Sequence, residues 1–109
     1  MPGPSNPARA LFGDIAPALG AYTDDVLFGD VWTRPDLSPR DRSLITVAAL
    51  VAGYRVNELP FHIGKALDNG VTRAEIGEAI THLAFYSGWP CASSAVTIAR
   101  KVFADRDAA

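Results

Sequence analysis

Apolar residues recur at helical spacing along most of the chain, and no stretch alternates between apolar and polar positions as a β-strand would. Residues 9–18 and 23–32 have apolar positions three and four apart, and they predict two short helices with a break near Gly20 and an end at Pro35. Ser38 as N-cap and Pro39 at the first helical position predict a third helix, which runs to about residue 54. Its positions 44–52 are apolar on every face, so we expect a central core helix that also touches a second subunit.

Capping signals predict two helices after residue 56. Asn57 is the expected cap of the first helix, which tolerates Pro60 in its first turn and ends at the pair Asn69-Gly70. Residues 72–75 have the sequence of a capping box and open a helix that continues to about residue 87. Its expected core stripe consists of Ile76, Ile80 and Leu83.

A sharp break is expected at residues 88–90, where a glycine and a proline flank Trp89. A last helix is predicted over residues 91–103, with a core stripe of Ala95, Ile98, Ala99 and Val102. The chain therefore predicts an all-α fold of about six helices. We expect one domain over residues 8–105, preceded by a disordered arm at 1–7 and followed by a frayed tail at 106–109.

Composition narrows the class of protein. Ten basic and twelve acidic residues give a net charge of -2, and the basic residues are scattered, so we expect no nucleic-acid partner. The single cysteine, Cys91, excludes an intramolecular disulfide framework and a multi-cysteine zinc site, and it favours the cytoplasm. No secretory signal is evident at residues 1–10, and the longest apolar block, 47–52, is far shorter than the ~20 residues of a membrane span. We expect no association with a membrane.

Both histidines fall within residues 57–90, where we expect the chemistry to lie. Glu58 precedes His62 by four residues, a spacing that allows a carboxylate to orient an imidazole as general acid or base. An ordinary surface pair, or a half-buried histidine, is the alternative. His82 lies four residues before Tyr86, but on sequence alone a structural histidine bonded to Glu78 is favoured.

The other candidates each have a structural alternative. Tyr86 and Trp89 are core aromatics or line a pocket at the turn, and Cys91 is read as a small buried side chain. One of Arg40 and Arg42 can face inward and pair with a carboxylate of the protein or of a substrate, but for each of them a solvated side chain is favoured. The two histidines with Glu58 are a possible ligand set for a metal, but their spacing matches no local motif, so no metal is predicted.

Four segments in this order resemble the carboxymuconolactone decarboxylase family: residues 37–50 (LSPRDRSLITVAAL), 58–62 (ELPFH), 66–72 (ALDNGVT) and 82–90 (HLAFYSGWP). The resemblance implies an alkylhydroperoxidase-like helical fold and an intertwined homo-oligomer, a dimer, trimer or hexamer. In the peroxidase-like branch a Cys-x-x-Cys precedes the histidine. With that histidine matched to His62, the cysteine positions fall on Arg55 and Glu58. The chain thus resembles the decarboxylase branch.

The resemblance implies a lyase that acts on a small carboxylate or lactone in aromatic catabolism. Such a substrate is its own electron sink, so no cofactor is expected. An arginine suits the substrate carboxylate, and Arg42 is the candidate. His62, oriented by Glu58, is the expected proton donor, and His82 with Tyr86 is expected to stabilise the oxyanion or act as a second acid. Trp89, on the second motif, is a further substrate-binding candidate.

Three alternatives remain open. The same scaffold can serve another lactone, a β-keto acid or an isomerisation. A non-catalytic oligomeric or ligand-binding protein would instead use the histidines structurally. A thiol antioxidant that uses Cys91 alone is the least favoured.

Overall fold

The computed structural model describes residues 7–109, which are mostly helical and contain no β-strand. The all-α prediction is therefore confirmed. By their internal contacts the residues form two compact units, one that ends at Pro39 and one from Arg40 to Ala109. The predicted disordered arm lies outside the described residues except for Pro7, which begins the first helix.

The N-terminal unit consists of short helical pieces. They are α1 (Pro7–Phe12), α2 (Pro17–Ala21), a π-helical segment (Tyr22–Phe28) and a 3-10 turn (Val31–Thr33). The predicted helix over residues 9–18 is wrong, because Pro17 opens a new helix in its first turn. The break expected near Gly20 is also wrong. Gly20 lies within α2, where a Cβ atom would come within 3.1 Å of the Ala8 carbonyl oxygen, so glycine permits close approach to α1.

A buried carboxylate holds this unit together. Asp24, in the π-helical segment, accepts hydrogen bonds from the backbone N–H groups of Ala8 at 3.2 Å and Arg9 at 3.0 Å. The Arg9 guanidinium also pairs with Asp24 at 3.5 Å. Asp24 therefore satisfies backbone donors in the first turn of α1 that have no partner within the helix.

The C-terminal unit contains four longer helices around one core. They are α3 (Pro39–Ala52), α4 (Leu59–Asp68), α5 (Arg73–Ser87) and α6 (Trp89–Ala108). The two predicted core stripes are confirmed. The buried core includes residues from all four helices, namely Val47, Val51, Leu59, Ile63, Ile76, Ile80, Ala95 and Ala99, and Leu83, Ile98 and Val102 pack against it.

The third helix is buried on one face only. Ser43, Val47 and Val51 are buried, whereas Ile45 keeps 56 % of its surface exposed. The expectation that α3 is surrounded on every face is thus not met within one chain. Its contact with a second subunit stays a prediction.

Local capping signals place two helix ends correctly. The Thr72 Oγ1 atom accepts a hydrogen bond from the Glu75 N–H at 3.0 Å, and the Thr72 N–H donates to Glu75 Oε1 at 2.9 Å, which completes the predicted capping box. Asn69 ends α4 as predicted, and Gly70 follows with a φ of +99°.

Two other predicted ends are wrong. Asn57 does not cap α4: turns between α3 and α4 delay the helix, and Glu58 takes the N-cap position without a side-chain hydrogen bond. The last helix continues through the residues expected to fray, to Ala108. Arg106 explains this, since it donates to the Gly64 carbonyl at 2.7 Å and pairs with Asp68 at 2.9 Å, so long-range contacts hold the end of α6.

Candidate active site

His62 lies in the first turns of α4 and is half-buried. Its Nδ1 atom is shielded from solvent, and its ring meets the edge of Phe61 at 5.0 Å between centroids. Burial lowers the pKa of His62 below its usual 6.5, and the positive charge of Lys65 lowers that pKa further. The imidazole is therefore mainly neutral at neutral pH.

Glu58 lies one turn before His62 and is exposed. A backbone hydrogen bond joins the His62 N–H to the Glu58 carbonyl at 3.4 Å, but the Glu58 side chain forms no hydrogen bond or ion pair with another described residue. The spacing of four residues thus places the two groups on neighbouring turns without a direct contact. The orienting role of Glu58 stays a prediction.

His82 and Tyr86 come together on α5. Their rings stack with centroids 4.8 Å apart and an interplanar angle of 27°, and both side chains are exposed. The hydrogen bond expected between His82 and Glu78 is not formed, because the imidazole lies against Tyr86 instead. His82 makes no hydrogen bond or ring contact with His62 among the described residues, so the convergence of the two histidines stays a prediction.

A groove between α3 and α5 includes His82. Its volume is about 400 Å³, and its apolar surface comes from Leu44, Ile45, Ala48, Ala79 and Leu83. Glu75 and Glu78 lie at the same groove as His82, whereas His62 is not among its lining residues. An apolar cleft with a few polar groups is a common form of small-molecule site.

The two arginines at the start of α3 have different surroundings. Arg40 forms ion pairs with Glu75 of α5 and with Asp41, so it is the arginine that pairs with a protein carboxylate. The pKa of Glu75 lies below its usual value, first through the hydrogen bond from the Thr72 N–H and then through Arg40. Arg42 is half-buried with its Nε atom shielded from solvent, and its binding of a substrate stays a prediction.

The aromatic residues near Gly88 are exposed and are not core residues. Phe85, Tyr86 and Trp89 keep 74, 77 and 62 % of their surface exposed, and Phe85 meets the edge of Trp89 at 5.2 Å between centroids. The alternative of core aromatics is therefore wrong for Tyr86 and Trp89. Phe85 was missed as a candidate, although its spacing of four from Trp89 was visible in the sequence. We call Phe85, Tyr86 and Trp89 the aromatic row.

The single cysteine and the potential metal ligands lie in the described part of the chain. Cys91 is half-buried, and its Sγ atom lies 3.9 Å from the Ala52 carbonyl oxygen. Arg55 and Glu58, at the positions where peroxidase-like relatives have cysteines, are both exposed. Within residues 7–109, no three histidine, cysteine, aspartate or glutamate side chains lie close enough together to hold a metal ion. No helix in this range is long and apolar enough to cross a membrane.

The fold defines an all-α protein with a half-buried histidine in α4. Sequence comparison gives its family. Residues 17–101 match the carboxymuconolactone decarboxylase family, and the chain belongs to it. The match spans most of the chain and includes both histidine segments. It confirms the resemblance on which the alkylhydroperoxidase-like fold was predicted.

Several curated proteins are similar to this chain. The 4-carboxymuconolactone decarboxylase of Acinetobacter baylyi is 42 % identical over 78 residues, which cover 72 % of this chain and 58 % of that protein. The nitrosuccinic acid decarboxylase of Metarhizium robertsii is 38 % identical over 78 residues, 72 % of this chain and 54 % of that protein. An uncharacterised 15.0 kDa protein of Paracoccus denitrificans is 30 % identical over 95 residues, 85 % of this chain and 71 % of that protein. The chain therefore spans little more than half the length of the two decarboxylases.

Proposed function

We propose that this protein is a decarboxylase of a small carboxylic acid in which an electron-withdrawing group can accept the electrons released with carbon dioxide. The observation that carries the proposal is the half-buried His62, which the resemblance matches to the family's histidine, as it matches Arg55 and Glu58 to the cysteine positions of the peroxidase-like branch. Such a site is suited to proton transfer and lacks the paired thiols of disulfide cycling.

The names of two relatives give the substrate class. In carboxymuconolactone, loss of carbon dioxide moves the electron pair of the broken C–C bond through a C=C bond into the lactone carbonyl, which forms a dienolate. In nitrosuccinic acid, the same step beside the nitro group forms a nitronate. Both products of C–C cleavage are stabilised anions that need a proton on carbon. We therefore infer that the substrate has its departing carboxylate on a saturated carbon, and that this carbon is attached to a carbonyl or nitro group directly or through a C=C bond.

In such a reaction the protein has three tasks: to bind the substrate carboxylate, to stabilise the developing oxyanion, and to protonate carbon. We assign residues to each task. Arg42 binds a substrate carboxylate through its planar guanidinium. His82 and Tyr86 donate hydrogen bonds to the developing oxyanion or supply a second acid, with Trp89 against the apolar part of the substrate. His62 protonates carbon from its imidazolium form, which is the minor form at neutral pH, with Glu58 as its orienting partner. The described contacts support this division in one respect, the stacked pair of His82 and Tyr86 beside an apolar groove.

The experiment is a decarboxylation assay on the purified protein with 4-carboxymuconolactone and nitrosuccinic acid as separate substrates. We expect His62→Ala and His82→Ala each to lower turnover by about two to four orders of magnitude, the usual contribution of a positioned acid or base. Cys91→Ser is the control and should keep activity within a few-fold, since no step uses the thiol.

The outcomes separate the alternatives. Retained turnover in either histidine variant removes that residue from the scheme. Loss of activity in Cys91→Ser would favour a thiol mechanism. No carbon dioxide from either substrate, with circular dichroism showing a folded protein, would contradict the assigned substrate class and favour a ligand-binding or isomerase function.

A further inference from the structure

A second groove, of about 350 Å³, lies between α5 and α6 and includes none of the residues assigned above. Its floor is apolar, because the buried core residues Ile76, Ile80 and Ala99 lie beneath it. Phe103 and the partly exposed Val96 form its sides. Ligand sites of this volume are typical for small molecules.

Gly77 keeps this groove open. A Cβ atom at position 77 would meet no other atom within 4 Å, so the space above the glycine is empty. Because Gly77 is one of the residues that line the groove, we expect a large side chain at this position to occupy part of it.

The charges at the groove leave one cation without a partner. The Asp107 carboxylate is occupied by Arg73, which donates two hydrogen bonds at 3.1 and 2.6 Å. The same Arg73 guanidinium lies 5.0 Å above the Phe103 ring. Arg100, by contrast, forms no hydrogen bond or ion pair with another described residue. An apolar floor therefore lies beside a single uncompensated positive charge.

We propose that the groove between α5 and α6 binds a small amphipathic carboxylate, with the apolar part of the ligand against Val96 and Phe103 and its carboxylate on Arg100. One exposed guanidinium matches one anionic group, and guanidinium binds carboxylate in a planar, bidentate way. This site is separate from the proposed decarboxylation site, and it does not depend on the protein being a decarboxylase.

The test is a titration of the full protein with 2-naphthoate, followed by backbone amide NMR, with neutral 2-naphthamide as the matched probe. We expect 2-naphthoate to shift the amide signals of residues 76–80 and 96–104. The amide probe should bind about tenfold more weakly, since it keeps the apolar part and lacks the charge.

Two variants with matched controls locate the ligand. Arg100→Gln should weaken 2-naphthoate about tenfold, whereas Arg55→Gln, which removes another exposed arginine without an ion pair, should leave this binding unchanged. Gly77→Leu should fill the groove and abolish the shifts. The control is Ala74→Leu, which places the same side chain at an exposed position of α5 outside the groove lining. The ligand-induced amide shifts should be unchanged in this variant.

Several results would overturn the proposal. Equal affinity for both probes would show that Arg100 does not select an anion. Shifts confined to the surroundings of His62 and Arg42 would place the carboxylate at the proposed catalytic site only. If Gly77→Leu converts an oligomer to a monomer, the groove is closed by self-association. Its occupant would then be a second copy of the chain.

Discussion

At the scale of the residue, His62 is the ionisable group of the candidate site whose surroundings change its chemistry most clearly. Burial disfavours the imidazolium and lowers its pKa, and Lys65, three residues on, adds like-charge repulsion. Sequence reasoning allowed a half-buried position from the flanking apolar residues Phe61 and Ile63, and the structure confirms it. The spacing to Glu58 predicted proximity, but only the structure showed that Glu58 is exposed and forms no ion pair with the imidazole.

Lys65→Gln tests how far the positive charge of Lys65 lowers the pKa of His62. In the unchanged protein, His62 should titrate below 6.5 in an NMR titration of its ring protons. The variant should raise this pKa, but not above 6.5, since burial is the larger cause and remains. Lys101→Gln removes an exposed lysine of α6 that pairs with Asp105, and it should leave the pKa of His62 unchanged. A titration of His62 at or above 6.5 in the unchanged protein would contradict the role of burial.

The same residue links stability to pH. The folded pKa of His62 is below the unfolded value, so below about pH 6.5 the unfolded chain binds more protons and the free energy of unfolding falls. His62→Gln should remove this part of the dependence, measured by urea unfolding between about pH 7.5 and 5.5. Glu75 and Asp107 have lowered pKa values in the folded state. Their contribution to stability is therefore lost only when the pH falls below their usual pKa values of 4.5 and 3.8. An unchanged slope in the variant would show that other groups cause it.

At the scale of the element, the sequence predicted contacts between near neighbours and missed contacts between residues that are distant in the chain. The capping box of α5 joins Thr72 to Glu75, three residues apart, so its pattern is complete within one short segment. The end of α6 depends on Arg106 reaching Gly64, 42 residues away, which no local pattern reports. The close approach of α2 to α1 likewise depends on Gly20 lying against Ala8, which no local pattern reports.

Thr72→Ala should therefore weaken α5 by about 1 kcal/mol, the usual cost of losing a side-chain N-cap. Urea unfolding measures the change. Thr81→Ala, on an exposed position within the same helix, is the control and should change stability by less than about 0.5 kcal/mol. Equal losses in both variants would mean that the cap of α5 contributes nothing beyond the loss of a threonine.

At the scale of the whole molecule, one chain leaves several large apolar side chains exposed. The aromatic row lies at the end of α5 and the start of α6, and Ile45 of α3 is also exposed. Exposed apolar patches of this kind are typical of interfaces. A homo-oligomer was predicted from the apolar pattern of α3 and from the family resemblance, and it stays a prediction.

Phe85→Ser tests it, because Phe85 belongs to the aromatic row and has no assigned part in catalysis. We expect the unchanged protein to sediment as an oligomer and the variant to have a lower mass, measured by sedimentation velocity at micromolar concentration. Tyr22→Ser removes an aromatic of similar exposure in the N-terminal unit and should leave the mass unchanged. A monomeric unchanged protein would contradict the predicted oligomer.

The sequence by itself determined the helical class, the core stripes of α5 and α6, and the caps at Thr72 and Asn69, because these depend on periodicity and on hydrogen bonds between near neighbours. It also supported the family, since the motifs are contiguous segments. Only the tertiary structure decided that His62 is half-buried while Glu58 and His82 are exposed, and that Arg40 pairs with Glu75. These features depend on which helices pack together, and the charge and burial of a side chain follow from neighbours that are distant in sequence.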